Sequence, residues 1–375
     1  MPRYVGLMSG TSLDGLDAVL VELDDDGERL RVAVLAHRHA PFPSDLRDEL
    51  RALNRSGDDE LHRAAVATWR FVDLEATLVG KLLAQARVDA ASVRAIGSHG
   101  QTVRHRPPAA GVEAPYTIQL DDGARLAELT GIDVVCDFRR RDLAAGGQGA
   151  PLVPAFHAAL FARPGVDVAV LNLGGFANLT LLHADGTVAG FDCGPANVLL
   201  DLWCERHRGE RFDDGGRWAA TGRVDPALLA ALRQDEYFAR PPPKSTGRDH
   251  FDAAWLDACL QRVGAPATPV DVQATLLELT ASTVADDLRR HAPLTTQLHV
   301  CGGGARNGAL LDALARRLPG VTVAPTDAAG LAATQVEAAA FAWLAHAHLE
   351  RRPGNRPEVT GACGPRVLGA LYPKG

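Results

Sequence analysis

Apolar and polar positions alternate from the first residues onward, and the alternation predicts strands at 4–9, 18–23 and 30–36. A Gly/Ser/Asp-rich turn joins the first two, and Asp24-Asp25-Asp26-Gly27 joins the next. The period then changes. Leu61, Ala65, Trp69, Val72, Ala76, Val79 and Leu83 recur at steps of four and three, which predicts one apolar face of a long helix. Asp58, Asp59 and Glu60 stand at its start, where negative charge suits the helix dipole. Further strands are predicted at 93–98 and 116–120, then a short helix at 124–130 capped by Gly131, then an apolar run at 132–136.

The opening pattern then returns. Residues 166–173, 176–182 and 187–192 read as strand, Gly174-Gly175 turn, strand, Asp185-Gly186 turn, strand. Two halves that each begin this way repeat an architecture more than a sequence. Thr268, Pro269 and Asp271 supply the cap, first-turn proline and acidic third position of a helix reaching His291. A strand at 297–301 enters three glycines and a helix at 307–318; a strand at 321–324 and a helix at 334–349 follow. The Gly-rich stretch Ala144-Ala145-Gly146-Gly147-Gln148-Gly149 reads as the passage into a second domain. The expected domains are therefore 1–133 with 350–375, and 134–349.

Length agrees with two domains, since 375 residues exceed one ordinary core. The formal charge of −7 comes without a basic stripe, which argues against nucleic acid as a partner. No apolar run approaches a membrane span, and no leader pattern precedes the first strand, so neither a membrane partner nor export is expected. Six scattered cysteines lack any metal or disulfide spacing, which fits buried thiols in a reducing, cytoplasmic compartment.

Three turns carry candidate chemistry. Gly6-Leu7-Met8-Ser9-Gly10-Thr11-Ser12-Leu13-Asp14-Gly15-Leu16-Asp17 lies between two strands. Bare backbone and hydroxyls there suit phosphate oxygens, and an adjacent acid suits Mg²⁺. A hairpin using Gly and Asp for geometry alone reads the same way. Asn172-Leu173-Gly174-Gly175-Phe176-Ala177-Asn178 forms a second such turn, which by itself is equally compatible with a bulge. Cys301-Gly302-Gly303-Gly304-Ala305-Arg306-Asn307 offers bare backbone between strand and helix for a flat nucleotide.

Together with Ser98-His99-Gly100-Gln101-Thr102 and Gly190-Phe191-Asp192-Cys193-Gly194-Pro195, these segments resemble the anhydro-N-acetylmuramic acid kinase family, from about residue 4 to 345. The resemblance implies an α/β, two-domain actin-like (ribonuclease H-like) ATPase fold, with mixed sheets, flanking helices and an interdomain cleft. It implies ATP and Mg²⁺ as cofactors and a 1,6-anhydro amino sugar as substrate. The sugar's bridge would be opened by water while O6 is phosphorylated, in peptidoglycan recycling. It also implies a cytoplasmic homodimer. Cys193 departs from the family, where a Thr is expected.

The implied roles follow residue by residue. Asp192 would be the base that activates water; as a rival reading, it caps the helix that follows. Gly10, Thr11, Ser12, Leu13, Asp14, Gly15, Leu16, Asp17, Gly174, Gly175, Gly302, Gly303, Gly304 and Asn307 would hold the nucleotide, with Asp14 at the metal. Ser98, His99, Gln101, Thr102 and Asn172 would face the sugar. Its lactyl carboxylate needs a cation, and Arg139, Arg140, Arg141, Lys244 and Arg248 are candidates, Arg139 being chosen. Three other readings compete: a kinase for another anhydro sugar such as anhydroglucose, a non-enzymatic actin-like filament protein, and an Hsp70-like chaperone ATPase. Against the last, no residues are left over for a separate peptide-binding domain.

Overall fold

A computed structural model describes residues 1–27, 29–109, 112–247, 250–264 and 268–375. The chain divides into two compact units, Met1–Leu160 with Gln335–Gly375, and Phe161–Thr334. In the first unit the strands are β1 (Arg3–Met8), β2 (Gly15–Asp25), β3 (Leu30–Pro41), β4 (Val93–Ser98), β5 (Gln101–Arg106), β6 (Tyr116–Leu120) and β7 (Val134–Cys136). In the second they are β8 (Val168–Leu173), β9 (Phe176–Leu182), β10 (Val188–Pro195), β11 (Gln297–Cys301) and β12 (Thr322–Pro325). The chain returns to the first unit for β13 (Ala370–Tyr372).

The two main sheets share one plan. The first has the order β13-β7-β4-β1-β2-β3 and the second β10-β9-β8-β11-β12. In each, the first three strands form an antiparallel meander and the next two add in parallel beside the first strand. This is the ribonuclease H-like order, repeated. β5 pairs with β6 in a separate two-stranded sheet. β5 itself escapes sequence reading, because Gln-Thr-Val-Arg-His-Arg holds one apolar residue.

The expected domain limits need correction. Residues 134–136 form β7, which pairs with β4 on one side and β13 on the other, so they lie within the first sheet. The Gly-rich stretch stays there as well, wrapped on the buried Asp142 carboxylate. That group accepts from Gly149 N–H at 2.8 Å, Asn355 Nδ2 at 2.6 Å and Thr360 Oγ1 at 2.8 Å. The Val336–Leu349 helix also belongs to the first unit. A Cβ on Gly6 would lie 1.9 Å from Ala338 O, and one on Gly97 2.0 Å from Phe341 O. Bare glycines in adjacent strands thus let a helix backbone rest directly on the sheet.

The Glu60–Ala86 helix forms as expected, but its buried face is rotated. Phe71, Val72, Glu75, Leu78, Val79, Leu82 and Leu83 face inward, whereas Leu61 is 90% and Trp69 56% exposed. Counting only apolar residues skipped Glu75, which sits at the centre of the true stripe. Of the cysteines, five are buried and Cys363 is exposed, contrary to the expectation for all six. No helix among the described residues is long and apolar enough to cross a membrane.

Candidate active site

In the first unit, the β1–β2 turn exposes Thr11, Ser12 and Asp14, with Gly10 half-buried. Leu13 turns inward and anchors the loop at a φ of 58°. Gly15 and Leu16 are buried strand residues. The Asp17 carboxylate lies 2.9 Å from His37 Nε2 and 3.3 Å from His39 Nδ1. Burial would raise its pKa, but these two imidazoles hold it below the ordinary value. So of the eight residues expected at the nucleotide here, Gly10, Thr11, Ser12 and Asp14 form the open tip. Asp17 is committed to β3. Asp14, an oxygen donor beside open hydroxyls, fits Mg²⁺, which takes one or two carboxylates and otherwise phosphate and water.

Behind this turn lies a closed polar network. Ser9 Oγ is 2.5 Å from Gln101 Oε1, and Gln101 Nε2 donates to Gly10 O and Thr102 O. His99 Nδ1 donates to Ser9 O at 3.1 Å, while Nε2 accepts from Arg139 Nε at 3.1 Å and Nη2 at 2.8 Å. Arg139 donors on Nε2 fix the imidazole proton on Nδ1. Burial and then the Arg139 charge push the His99 pKa down to about 3, so the ring is neutral. Ser98 Oγ donates to Glu75 Oε1 at 2.7 Å, and burial lifts the Glu75 carboxyl to about 8. Thr102 Oγ1 accepts from Gln119 Nε2.

Ser98 and Gln101 therefore have side chains committed within the unit. Gln101 braces the β1–β2 hairpin and Ser98 ties β4 to the Glu60–Ala86 helix, which the reading of them as sugar contacts did not foresee. The arginine run splits: Arg140 and Arg141 are exposed, whereas Arg139 is half-buried and also donates Nη1 to Gly149 O at 2.8 Å. Burial lowers its pKa to about 10, so it stays cationic at neutral pH.

In the second unit, strand register assembles a polar row. Asn172 on β8 faces Asn178 on β9, which faces Asp192 on β10. Cross-strand partners share a face, so the three side chains stand side by side. Asp192 Oδ1 accepts from Asn178 Nδ2 at 2.8 Å and Oδ2 from Thr246 N–H at 3.0 Å. Its backbone is gripped too: Asp192 N–H donates to Lys244 O, and Tyr237 Oη donates to Asp192 O at 2.7 Å. Burial raises the Asp192 pKa above its usual value, against the pull of Asn178, Thr246 and Lys244. The capping rival fails. Ala196 precedes the Asn197–Arg208 helix, and no side chain caps it.

Lys244 is not a free cation. Its ammonium is buried 3.0 Å from Asp287 Oδ2. Burial, and then the Asp287 carboxylate, hold the Cys193 thiol protonated. Arg248 lies outside the described residues.

The glycine turns divide by cause. A Cβ on Gly302, at φ +81°, would meet Asn172 Oδ1 at 2.4 Å and Leu173 O at 2.7 Å; one on Gly304 would meet Leu173 Cβ at 2.6 Å. Close packing on β8 requires both. Gly303 has open space, and a Cβ on Gly174 or Gly175 would find only ordinary contacts, so backbone is open to a ligand there. Asn307 is the cap of the Gly308–Arg317 helix, its Oδ1 accepting from Leu310 N–H at 3.0 Å. That bond uses the Oδ1 of the side chain expected at the nucleotide. Sequence reading missed Asn178, Lys244 as a paired ion, Thr246 and Glu75; only Asn178 carried a signal, as a polar residue in the middle of an apolar strand.

The model of the anhydro-N-acetylmuramic acid kinase family matches residues 2–374. An anhydro-N-acetylmuramic acid kinase of Bordetella petrii is 61% identical over 99% of this chain and 96% of its own length. One of Variovorax paradoxus is 58% identical over 99% of this chain and 98% of its own. Among solved structures, the activator of 2-hydroxyisocaproyl-CoA dehydratase from Clostridium difficile with bound ADPNP is 12% identical. It covers 93% of this chain and 96% of that one, at a TM-score of 0.48. With a family model spanning nearly every residue and relatives this similar over their full lengths, the chain belongs to the anhydro-N-acetylmuramic acid kinase family.

Proposed function

We propose that the chain is an ATP-dependent kinase that opens the 1,6-anhydro bridge of anhydro-N-acetylmuramic acid with water and phosphorylates O6. The products are N-acetylmuramic acid 6-phosphate and ADP, in cell-wall recycling. The observation that carries this reading is a half-buried carboxylate, Asp192, oriented by one amide and one backbone N–H, in a chain of this family.

Opening an internal acetal requires a base for the attacking water on the face opposite the departing oxygen. Asp192 takes one proton from water as the water oxygen bonds to C1. The C1–O6 bond breaks, and O6 takes the γ-phosphoryl group, whose bond to the β-phosphate oxygen breaks to release ADP. The phosphoryl group thus does what a general acid does in an ordinary glycosidase, and one carboxylate suffices. Burial, by raising the Asp192 pKa, makes it a stronger base than a solvated aspartate.

The open β1–β2 tip, Gly10 to Asp14, is the proposed phosphate cradle, and the backbone of Gly174, Gly175 and Gly303 offers further contacts. Mg²⁺, held through Asp14, would neutralise phosphate charge. Arg139 retains N–H groups beyond those given to His99 and Gly149, which suit the lactyl carboxylate. Thr102 and Asn172 remain the proposed sugar contacts. A homodimer and a cytoplasmic location belong to the same proposal and rest on the family alone.

The test is to incubate the purified protein with Mg-ATP and either anhydro-N-acetylmuramic acid or anhydroglucose, then analyse products by mass spectrometry. The muramic 6-phosphate and stoichiometric ADP are expected. Turnover of anhydroglucose alone would transfer the reading to a different sugar kinase, and ATP-driven polymerisation without sugar turnover would replace it with a filament protein.

A further inference from the structure

Thr246 meets Asp192 through its backbone, and its side chain stands close by. Its backbone N–H donates to Oδ2 at 3.0 Å, and its hydroxyl Oγ1 is a buried atom without a partner among the described residues. Oγ1 is three bonds from the nitrogen that touches the carboxylate, so the hydroxyl and Oδ2 share one small neighbourhood. A hydroxyl left dry costs about 1–3 kcal/mol, and buried polar groups nearly always find partners. The chain just before Thr246 is also anchored. Lys244, two residues earlier, is fixed by Asp287, by the Asp192 N–H on its carbonyl, and by the Tyr237 ring 5.3 Å from its ammonium.

We propose that Thr246 is a further catalytic residue whose Oγ1 anchors the attacking water beside Asp192. This deepens the reading of Asp192 as the base and rests on it. The chemistry needs a second anchor. A carboxylate oxygen accepts one O–H of the water, but rotation about that bond leaves the nucleophilic lone pair unaimed. Oγ1 accepts the other O–H, which fixes the plane of the water and leaves both its lone pairs free, one directed at C1. The Thr246 N–H holds Oδ2 in place as the proton moves to it. Asn178 supplies the matching hold on Oδ1.

Thr246→Val separates the two roles, since it keeps the N–H and the β-branched shape and deletes the hydroxyl. Loss of alignment predicts a fall in kcat of about 100-fold, with KM changed less than about threefold. The acid limb of kcat/KM, which reports the base, should stay within about half a pH unit, because the carboxylate keeps its N–H donor. Thr246→Ser should recover most of the rate. Thr246→Ala, read in the same assay, serves if the valine variant does not fold. Wild-type turnover by both hydroxyl-less variants would overturn the proposal, as would a loss confined to KM or a shifted acid limb. Asp192→Asn runs alongside. If it is inactive while Thr246→Val is fully active, only the Thr246 role falls; if it is active, the base assignment falls first.

Discussion

The two units carry one strand order and treat their polar residues in opposite ways. In the first, Ser98, His99, Gln101 and Glu75 are buried in neutral forms. Ser98 bonds to Glu75, Gln101 to Ser9 and backbone, and His99 to backbone and to the Arg139 guanidinium, the cation of this network. In the second, Asp192 keeps part of its surface open, and the charge behind it is a buried ion pair, Lys244 with Asp287. A neutral network can be buried once its hydrogen bonds are made, whereas a charge must have a partner. The repeat therefore fixes where the strands run. What each unit can do is decided by the residues at the turns and by loops distant in sequence.

The ion pair offers the largest break in this comparison. Asp287→Asn leaves the Lys244 ammonium buried without its counter-charge and should cost about 3–5 kcal/mol, read from urea unfolding. Lys244 also presents the carbonyl that holds Asp192, so turnover should fall with stability. A loss below about 1 kcal/mol would mean that water or another acid supports the lysine, and that the second unit does not depend on the pair.

The neutral network makes a smaller prediction, with a sign. Burial raises the folded Glu75 carboxyl from 4.5 to about 8. Its contribution to stability is thus full below the unfolded value and is lost as pH rises to about 8. His99 runs the other way. Its folded pKa is near 3 against 6.5, so its contribution is full above 6.5 and is lost as pH falls toward 3. Glu75→Gln keeps a neutral donor and acceptor and should remove the alkaline slope, leaving the acid slope unchanged. Denaturation midpoints at pH 6 and pH 9 would check this. Parallel curves for the two proteins would show that Glu75 is ionised in the folded state.

Local signals made much of the fold legible. Alternation located β1, β2, β3, β8, β9 and β10 within a few residues, and Thr268-Pro269 marked the start of the Pro269–His291 helix to the residue. The errors share a cause, namely polar residues whose partners lie far along the chain. Glu75 was passed over because its partner, Ser98, is on another element. At Asn307 the cap was overlooked, because a cap and a phosphate donor draw on the same residue types near a helix start. Thr246 is 54 residues from Asp192, and Lys244 is 43 from Asp287, with nothing local to join them. Asp192 itself was found through family resemblance; its surroundings required the fold.

The most direct test of the central claim is turnover in ¹⁸O-water, with wild type and Asp192→Asn compared and the products quenched early. The account predicts one ¹⁸O at C1 of the sugar, none in the phosphate on O6, and loss of about 10³-fold in both sugar product and ADP for the variant. Label in the phosphate, or an Asp192→Asn protein that still forms the 6-phosphate at the wild-type rate, would contradict it.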